Sequence, residues 1–410
     1  MFMLRSVVML ATGVLLTFAA GGAPAGAESL SLAQAKQMVF ERHPGLNALT
    51  EEMRSAEEAL RQVSALENPE IEIGTERFGR NEVEMVVTQA IPLGGIRGAA
   101  IERARLEVET ARLKLESERL SVEAELVRRF VAVLGARKRV ALLDSLVEVS
   151  QEGVAAVSRL VEAGAAMQID LVRTELERDE LLLDRLDMER ALVQESTSLA
   201  RLWGESEFRY ESVSGSIDGL LDFPEIDVLV EAVEVHPTSM VFAAEKDIAL
   251  AELDEVRALR WPELALSAGY LENNESGEGA VLLGASVSLP IFDRKKAAIA
   301  AGNHSVMAAE HRRTLGRLER TSALSILYSE LQGTRKRLEV LTNEILPKAT
   351  QIHTDLQDFY ARGKVGILDV LEARGHLLEV RMRVLDLVEE QALLGADILE
   401  LTGYELEIMR

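Results

Sequence analysis

Landmarks in this chain recur in the same order 193 to 199 residues apart. His43-Pro44 returns as His236-Pro237, and Asn68-Pro69-Glu70 as Trp261-Pro262-Glu263, both at an offset of 193. Ile91-Pro92 returns as Leu289-Pro290 at 198. Gly164 with Asp170 returns as Gly363 with Asp369, and Leu202-Trp203-Gly204 as Leu401-Thr402-Gly403, both at 199. The offset widens by five residues and then by one, so the second copy carries small insertions. A duplicated unit cannot bury its apolar faces alone. Each copy must pack on the other or on further copies, which makes symmetric assembly the first expectation.

Residues 1–27 read as a removed signal peptide. Arg5 supplies the positive start, Val7 to Ala20 the apolar run, and Ala25-Gly26-Ala27 the small-residue cleavage site. The formal charge is −23 for the whole chain, and −24 once Arg5 leaves with that segment. Cysteine is absent, which excludes disulfides, thiolate metal sites and a lipidated cysteine at the signal junction. An exported chain without cysteine fits the bacterial envelope. The acidic balance argues against nucleic acid and suits the handling of cations. No later stretch reaches the roughly 18–20 consecutive apolar residues of a transmembrane helix. Outer-membrane strands are short and alternating, and hydropathy alone misses them.

Each copy reads as the same series of elements. A helix (31–66, then 227–259) leads into two strands (70–78 and 82–91, then 263–271 and 280–289). A very long helix (98–161, then 296–360), a Gly-containing turn and a returning helix (169–203, then 368–402) follow. The strands show period two. Ile71, Ile73 and Thr75 oppose Glu70, Glu72 and Glu76, and Val83, Met85, Val87 and Ile91 oppose Glu82, Glu84 and Thr88. In the second copy Leu264, Leu266, Ala268 and Tyr270 share a face, as do Val281, Leu283, Ala285, Val287 and Leu289. Gly79-Arg80-Asn81 and Glu272 to Gly279 supply the hairpin turns. Phe78, Trp261, Tyr270 and Phe292 lie near strand ends, where membrane β-proteins carry aromatic girdles. Four strands cannot close a barrel, and open edges are not tolerated in hydrocarbon, so several chains must share one barrel if these strands span a membrane.

The first long helix carries two apolar seams, Ile101-Ala104-Val108-Ala111-Leu115-Val122 and Leu106-Leu113-Leu120-Val127-Leu134. They sit roughly 140° apart at about 100° per residue. A two-stranded coiled coil needs one seam; a helix within a ring needs two. The seven-residue spacing implies left-handed supercoiling. The returning helix is half as long, so a returning and a leading helix stacked end to end match the long one.

With the Ile91-Pro92-Leu93-Gly94-Gly95-Ile96-Arg97-Gly98 junction added to the duplication and strand pairs, the chain resembles the outer-membrane efflux proteins of the TolC type over its mature length. It is most similar to the CzcC branch associated with heavy-metal cation export. The resemblance implies a mainly α protein with a small membrane β-sheet. It implies a homotrimer whose twelve strands form one outer-membrane barrel, continuous with a periplasmic α-helical barrel. Residues 28–204 are then the first repeat, 205–226 a linker and 227–410 the second repeat. The implied role is a passive exit duct in the outer membrane lipid, driven by an inner-membrane pump of the RND type through a periplasmic adaptor (membrane fusion protein).

The turns Ala163-Gly164-Ala165 and Arg362-Gly363-Lys364 are read as the periplasmic tips, since glycine permits the positive φ of a tight helix reversal. The resemblance makes these six residues adaptor contacts. It also makes Asp170, Asp369 and Glu372 an acidic constriction at the tunnel entrance and Tyr360 an aromatic gate residue. Read as helix termini alone, first-turn acids such as these are favoured by the helix dipole. The family's frequent arginine two residues after the turn glycine is here Val365, beside Lys364. If the apolar strand faces meet lipid, Glu70, Glu72, Glu76, Glu82 and Glu84 line the pore. The six histidines show no metal-ligand spacing, and no catalytic or cofactor motif is present, so the expectation is neither enzyme, cofactor nor metal site. Two competing readings are a drug or type I protein export duct of the same fold, and a periplasmic coiled-coil adaptor.

Overall fold

The computed structural model describes residues 29–76, 82–215, 224–273 and 278–404. The expected signal segment, the Gly79-Arg80-Asn81 turn, residues 274–277 of the second turn and residues 216–223 of the linker lie outside the described residues.

Each leading segment is two helices rather than one. α1 (Leu32–Arg42) and α2 (Pro44–Ser64) meet at His43, and α5 (Ile226–Val235) and α6 (Pro237–Ala258) meet at His236. Proline pushes the preceding residue out of the helical region and itself suits the first helical position. Both histidines are extended and act as N-caps. His43 Nδ1 accepts from the Leu46 N–H at 3.3 Å and His236 Nδ1 from the Thr238 N–H at 3.2 Å. The repeated His-Pro pairs are therefore cap-and-start signals.

Two three-residue strands, β1 (Ser29–Ser31) and β4 (Ser212–Ser214), pair in parallel and bury Leu30 and Val213. They tie the start of the described chain to the segment between the copies. The main sheet contains β2 (Glu70–Glu76), β3 (Glu82–Ile91), β5 (Glu263–Asn273) and β6 (Glu278–Ser288) in the antiparallel order β2-β3-β5-β6. The copies are thus joined through β3 and β5, while β2 and β6 are left as open edges.

Below the sheet, α3 (Ile96–Glu162) runs unbroken for 67 residues, about 100 Å. α4 (Gln168–Ala200) returns along its lower half. The second long helix is not continuous. α7 (Lys296–Val340) and α8 (Leu346–Ala361) are joined by a π turn at Leu341–Ile345, and α9 (Ile367–Thr402) returns. The repeats explain the break. Gly135-Ala136-Arg137-Lys138-Arg139 and Gly333-Thr334-Arg335-Lys336-Arg337 still match at offset 198, whereas the tips match at 199. One residue has entered between them. In an α-helix it would rotate everything downstream by about 100°, and a single π turn absorbs it. Pro347, which has no N–H to offer the carbonyl four residues back, follows at once.

The elements form rows. Near the sheet, α2 packs on α3, α3 on α6 and α6 on α7; farther down, α4 packs on α3, α3 on α9 and α9 on α8. Both seams of α3 are covered or half-covered by these neighbours, with Ala104, Leu113, Leu115, Val122, Val127 and Leu134 buried. The largest core lies at mid-height, where Phe130, Leu126 and Val131 of α3 meet Val39, Leu199, Trp203 and Ala396. Basic residues clamp α3 to α9. Arg128 donates to Asp397 at 2.7 Å and to Glu400 at 2.9 Å, and Arg139 to Asp386 at 2.8 Å. The repeated arginines converge on adjacent residues of α9: Arg139 pairs with Glu389 and Arg337 with Glu390, both at 2.6 Å.

Candidate functional site

The sheet register lines up apolar residues from all four strands side by side on one face. Ile73 stands opposite Met85, Met85 opposite Tyr270 and Tyr270 opposite Val281; the next row of that face is Ile71, Val87, Ala268 and Leu283. That face is open: Ile73 is 70 % exposed, Val281 74 % and Leu283 83 %. A contiguous apolar sheet face of this kind belongs against lipid or another apolar surface. No helix of the described residues is long and apolar enough to cross a membrane.

The opposite face carries Glu70, Glu72 and Glu84, but also Val86, Leu271 and Leu282, so it is mixed rather than uniformly polar. Glu70 lies in the row of Thr88, Ser267 and Gly284, and Glu84 in that of Gly74, Leu271 and Ala280. Glu76 and Glu82 are register partners at the end of β2 and the start of β3, and their side chains lie outside the described residues.

Where the strands enter the helices, Gly94 has φ +70°, and a side chain there would collide with the indole of Trp261. The Pro-Leu-Gly-Gly turn of one copy is therefore packed under the strand entry of the other.

At the opposite pole the two tips share one geometry. In the first, Gly164 (φ +71°) donates to Val161 at 2.9 Å and Ala165 to Leu160 at 2.8 Å. In the second, Gly363 (φ +69°) donates to Tyr360 at 2.8 Å and Lys364 to Phe359 at 2.9 Å. This is a left-handed helix stop with its paired reverse bonds, and it needs glycine at the turning point. All six tip residues are exposed, as is Tyr360, and Lys364 lies over the Phe359 ring at 5.8 Å.

The acids after the tips cap the returning helices. Asp170 accepts the Met167 N–H at 3.1 Å, and Asp369 accepts the Gly366 N–H at 2.8 Å. A third-position carboxylate that satisfies the N-cap amide also favours the positive end of the helix. Glu372 is exposed and lines a groove among α3, α4 and α9 with Glu177, His376 and Glu379. Asp170 and Asp369 sit on different hairpins of this chain, and Thr174 and Glu177 of the first line the same groove as Leu368, Leu371 and Glu372 of the second. Sequence reading missed the arginine clamps on α9, although the repeated Gly-x-Arg-Lys-Arg segment was a visible signal.

The outer membrane efflux protein family matches residues 35–205 and 228–403, one segment per copy. The chain belongs to this family. Among relatives, the cobalt-zinc-cadmium resistance protein CzcC of Cupriavidus metallidurans is 26% identical over 358 residues, 87% of this chain and 86% of that protein. The nickel-cobalt-cadmium resistance protein NccC of Alcaligenes xylosoxydans is 24% identical, covering 79% of this chain and 75% of that one. Among solved structures, CusC superposes with a TM-score of 0.75 at 15% identity, covering 91% of this chain and 92% of its own. The Vibrio cholerae outer membrane protein VceC gives 0.76 at 15%, covering 91% and 96%.

As an outer membrane efflux protein, the chain is an outer-membrane channel component reaching into the periplasm. The competing adaptor reading is set aside by this membership.

Proposed function

We propose that this protein is the exit duct of a heavy-metal cation export system, assembled as a homotrimer and served by a periplasmic adaptor and an inner-membrane pump of the RND type. The observation that supports assembly is that every layer is an open row with matching edges. β2 and β6 lack outer partners within the sheet. α2 and α4 lie along one flank, and α7 and α8 along the other. The open flank of α4 carries exposed Ile169, Val172, Leu176, Leu183, Leu186 and Val193 at heptad-like spacing, and the far flank offers exposed Ile345, Ile352 and Phe359 seven residues apart. One flank of a copy therefore fits the other flank of the next, a heterologous contact that must close into a ring. Three copies give twelve strands. Residues 28–204 and 227–410 act as the two repeat units of each copy, with 205–226 linking them.

The relationship to CzcC supports cobalt, zinc or cadmium as cargo. The acidic sheet face (Glu70, Glu72, Glu76, Glu82 and Glu84) lines the pore in this reading. Asp170, Asp369, Glu372 and Tyr360 form the periplasmic entrance, and Ala163, Gly164, Ala165, Arg362, Gly363 and Lys364 meet the adaptor. The capping bonds of Asp170 and Asp369 leave each a second lone-pair-bearing oxygen for the entrance. The test is complementation of a strain lacking its own metal-export duct but retaining adaptor and pump. Restored growth in cobalt, zinc or cadmium supports the cargo; restored resistance to organic drugs alone overturns it. Native mass measurement in mild detergent should give three chains.

A further inference from the structure

Between the sheet and the long helices lies a collar with an unusual charge for this protein. The chain holds 45 Lys and Arg against 68 Asp and Glu, yet the strand–helix junction gathers Arg97, Arg260, Arg294, Lys295 and Lys296 against Glu67, Glu70, Glu263 and Asp293. Some of these charges are spoken for. Lys295 pairs with Asp293 at 2.6 Å, and Arg97 donates to the Ser64 carbonyl at 2.6 Å. Arg260, Arg294 and Lys296 are exposed and make no side-chain hydrogen bond or ion pair among the described residues.

These cations stand beside apolar surface. Arg260 adjoins Trp261, which is 63 % exposed, and Arg294 follows Ile291 and Phe292, the latter fully exposed at 101 %. Trp261 and Lys295 line one shallow groove with Pro92, Leu93, Leu259 and Pro290. The apolar face of β5 and β6 runs directly into this region, since Trp261 lies two residues before β5 and Phe292 four residues after β6. An indole and a phenyl at the margin of the lipid face, with cations on the watery side, match the order of groups in a phospholipid leaflet: acyl chains, interface, phosphate.

We propose that Arg260, Arg294 and Lys296 form a binding collar for anionic phospholipid headgroups of the membrane's periplasmic leaflet, with Trp261 and Phe292 seated at the headgroup level. Glu67 and Glu263 line the groove itself and repel phosphate there, whereas Arg260, Arg294 and Lys296 stand outside it. The collar fixes the depth of the barrel in the membrane: sliding the sheet outward carries these cations into hydrocarbon, and sliding it inward takes Phe292 into water.

The test uses the full-length assembly in mild detergent, exchanged into mixed micelles of phosphatidylglycerol or phosphatidylcholine with identical acyl chains. Retained lipid is counted by native mass spectrometry. Wild type should retain phosphatidylglycerol in preference to phosphatidylcholine, and the preference should weaken at high salt. Each neutralisation (Arg260→Gln, Arg294→Gln, Lys296→Gln) should lower it about fivefold, as expected for one basic residue at an anionic surface. The triple variant should show no preference while keeping the wild-type subunit number and helix content. Equal retention of both lipids by wild type overturns the proposal, as does a preference that survives in the triple variant. If inorganic phosphate at matched concentration displaces phosphatidylglycerol completely, the site is one for free phosphate, and the lipid assignment fails.

Discussion

The long helix of the first copy runs unbroken, whereas that of the second is split by a π turn and Pro347. Both nevertheless end in tips with the same left-handed glycine and the same reverse bonds. A one-residue insertion was absorbed inside the helix without disturbing its end. The burial is uneven as well. The first copy supplies Phe130 at the centre of the main core, while the repeat-equivalent Tyr328 is only partly buried at a smaller cluster around Leu324, Leu331 and Ile398. α3 of the first copy therefore acts as the spine, packing on helices of both copies, whereas α7 of the second lies at one edge of the row.

Core truncation gives the largest test of that contrast. Phe130→Ala should cost about 3–5 kcal/mol, because a fully buried ring leaves a cavity, and Tyr328→Ala roughly half as much, in proportion to the area buried. Thermal unfolding of the assembled protein reads both. Equal losses would break the distinction between spine and flank.

A second contrast concerns the repeated His-Pro caps. His236 is 3 % exposed, and burial pushes its imidazole down to about 4, with the Arg320 guanidinium adding to the effect. Its folded pKa lies below the ordinary value near 6.5, so the unfolded chain takes the proton first. Stability should be intact above pH 7, fall as pH drops below about 6.5, and level off below about 4. The total loss from this group is about 3 kcal/mol. His236→Asn keeps a cap acceptor without the titration, so its melting temperature should fall less steeply between pH 7 and 4.5. A parallel pair of curves would show that another group carries the acid sensitivity.

The arginine clamps come next. Arg139 is the more enclosed, its side chain 20 % exposed, and it partners Glu389, whose carboxyl is pushed up by burial and by nearby Asp386 and Glu195. Arg139→Ala should cost about 1–3 kcal/mol by leaving that carboxylate unpaired. Arg337, with its side chain 58 % exposed, should cost less than about 1 kcal/mol. Pairing Arg139→Ala with Glu389→Gln should recover most of the loss. Failure to recover would place the role of Arg139 in packing instead.

These contrasts mark what local sequence could show. Strand alternation and the helix reversals at Gly164 and Gly363 are local patterns that stand where their residues predicted; the order of elements holds too, but each leading helix is split at its His-Pro pair and the second long helix is interrupted at Leu341–Ile345. The order across the sheet was not legible, because no local signal says that β3 lies beside β5. β1 and β4 are three residues each, too short for any periodicity. The π turn left a trace in the single-residue step of the offset, but that step reads equally well as a loop insertion until the Gly-x-Arg-Lys-Arg segments are aligned. At the tips, spacing located Asp170 and Asp369 correctly in the first turns; their bonds to the Met167 and Gly366 amides depend on backbone geometry.

The smallest effect on stability is the most specific for the channel entrance. One turn after the capping aspartates the copies diverge: the first has Arg173, three residues after Asp170, and the second has Glu372, three residues after Asp369. Residues three apart share a helix face, so that face carries opposite charges in the first copy and two negative charges in the second. In a threefold assembly the second face becomes a ring of like charge, which cations relieve. Glu372→Arg would make the second entrance resemble the first. It should change stability by less than about 0.5 kcal/mol, since the side chain is exposed and Asp369 keeps its cap. It should also weaken block by divalent or trivalent cations added from the periplasmic side. Arg173→Glu should strengthen that block by extending the charge to the first hairpin. Single-channel conductance with cations titrated on that side distinguishes the outcomes. If both variants block like wild type, Glu372 and Arg173 do not face the entrance, and their difference is one of solvated helix surface alone.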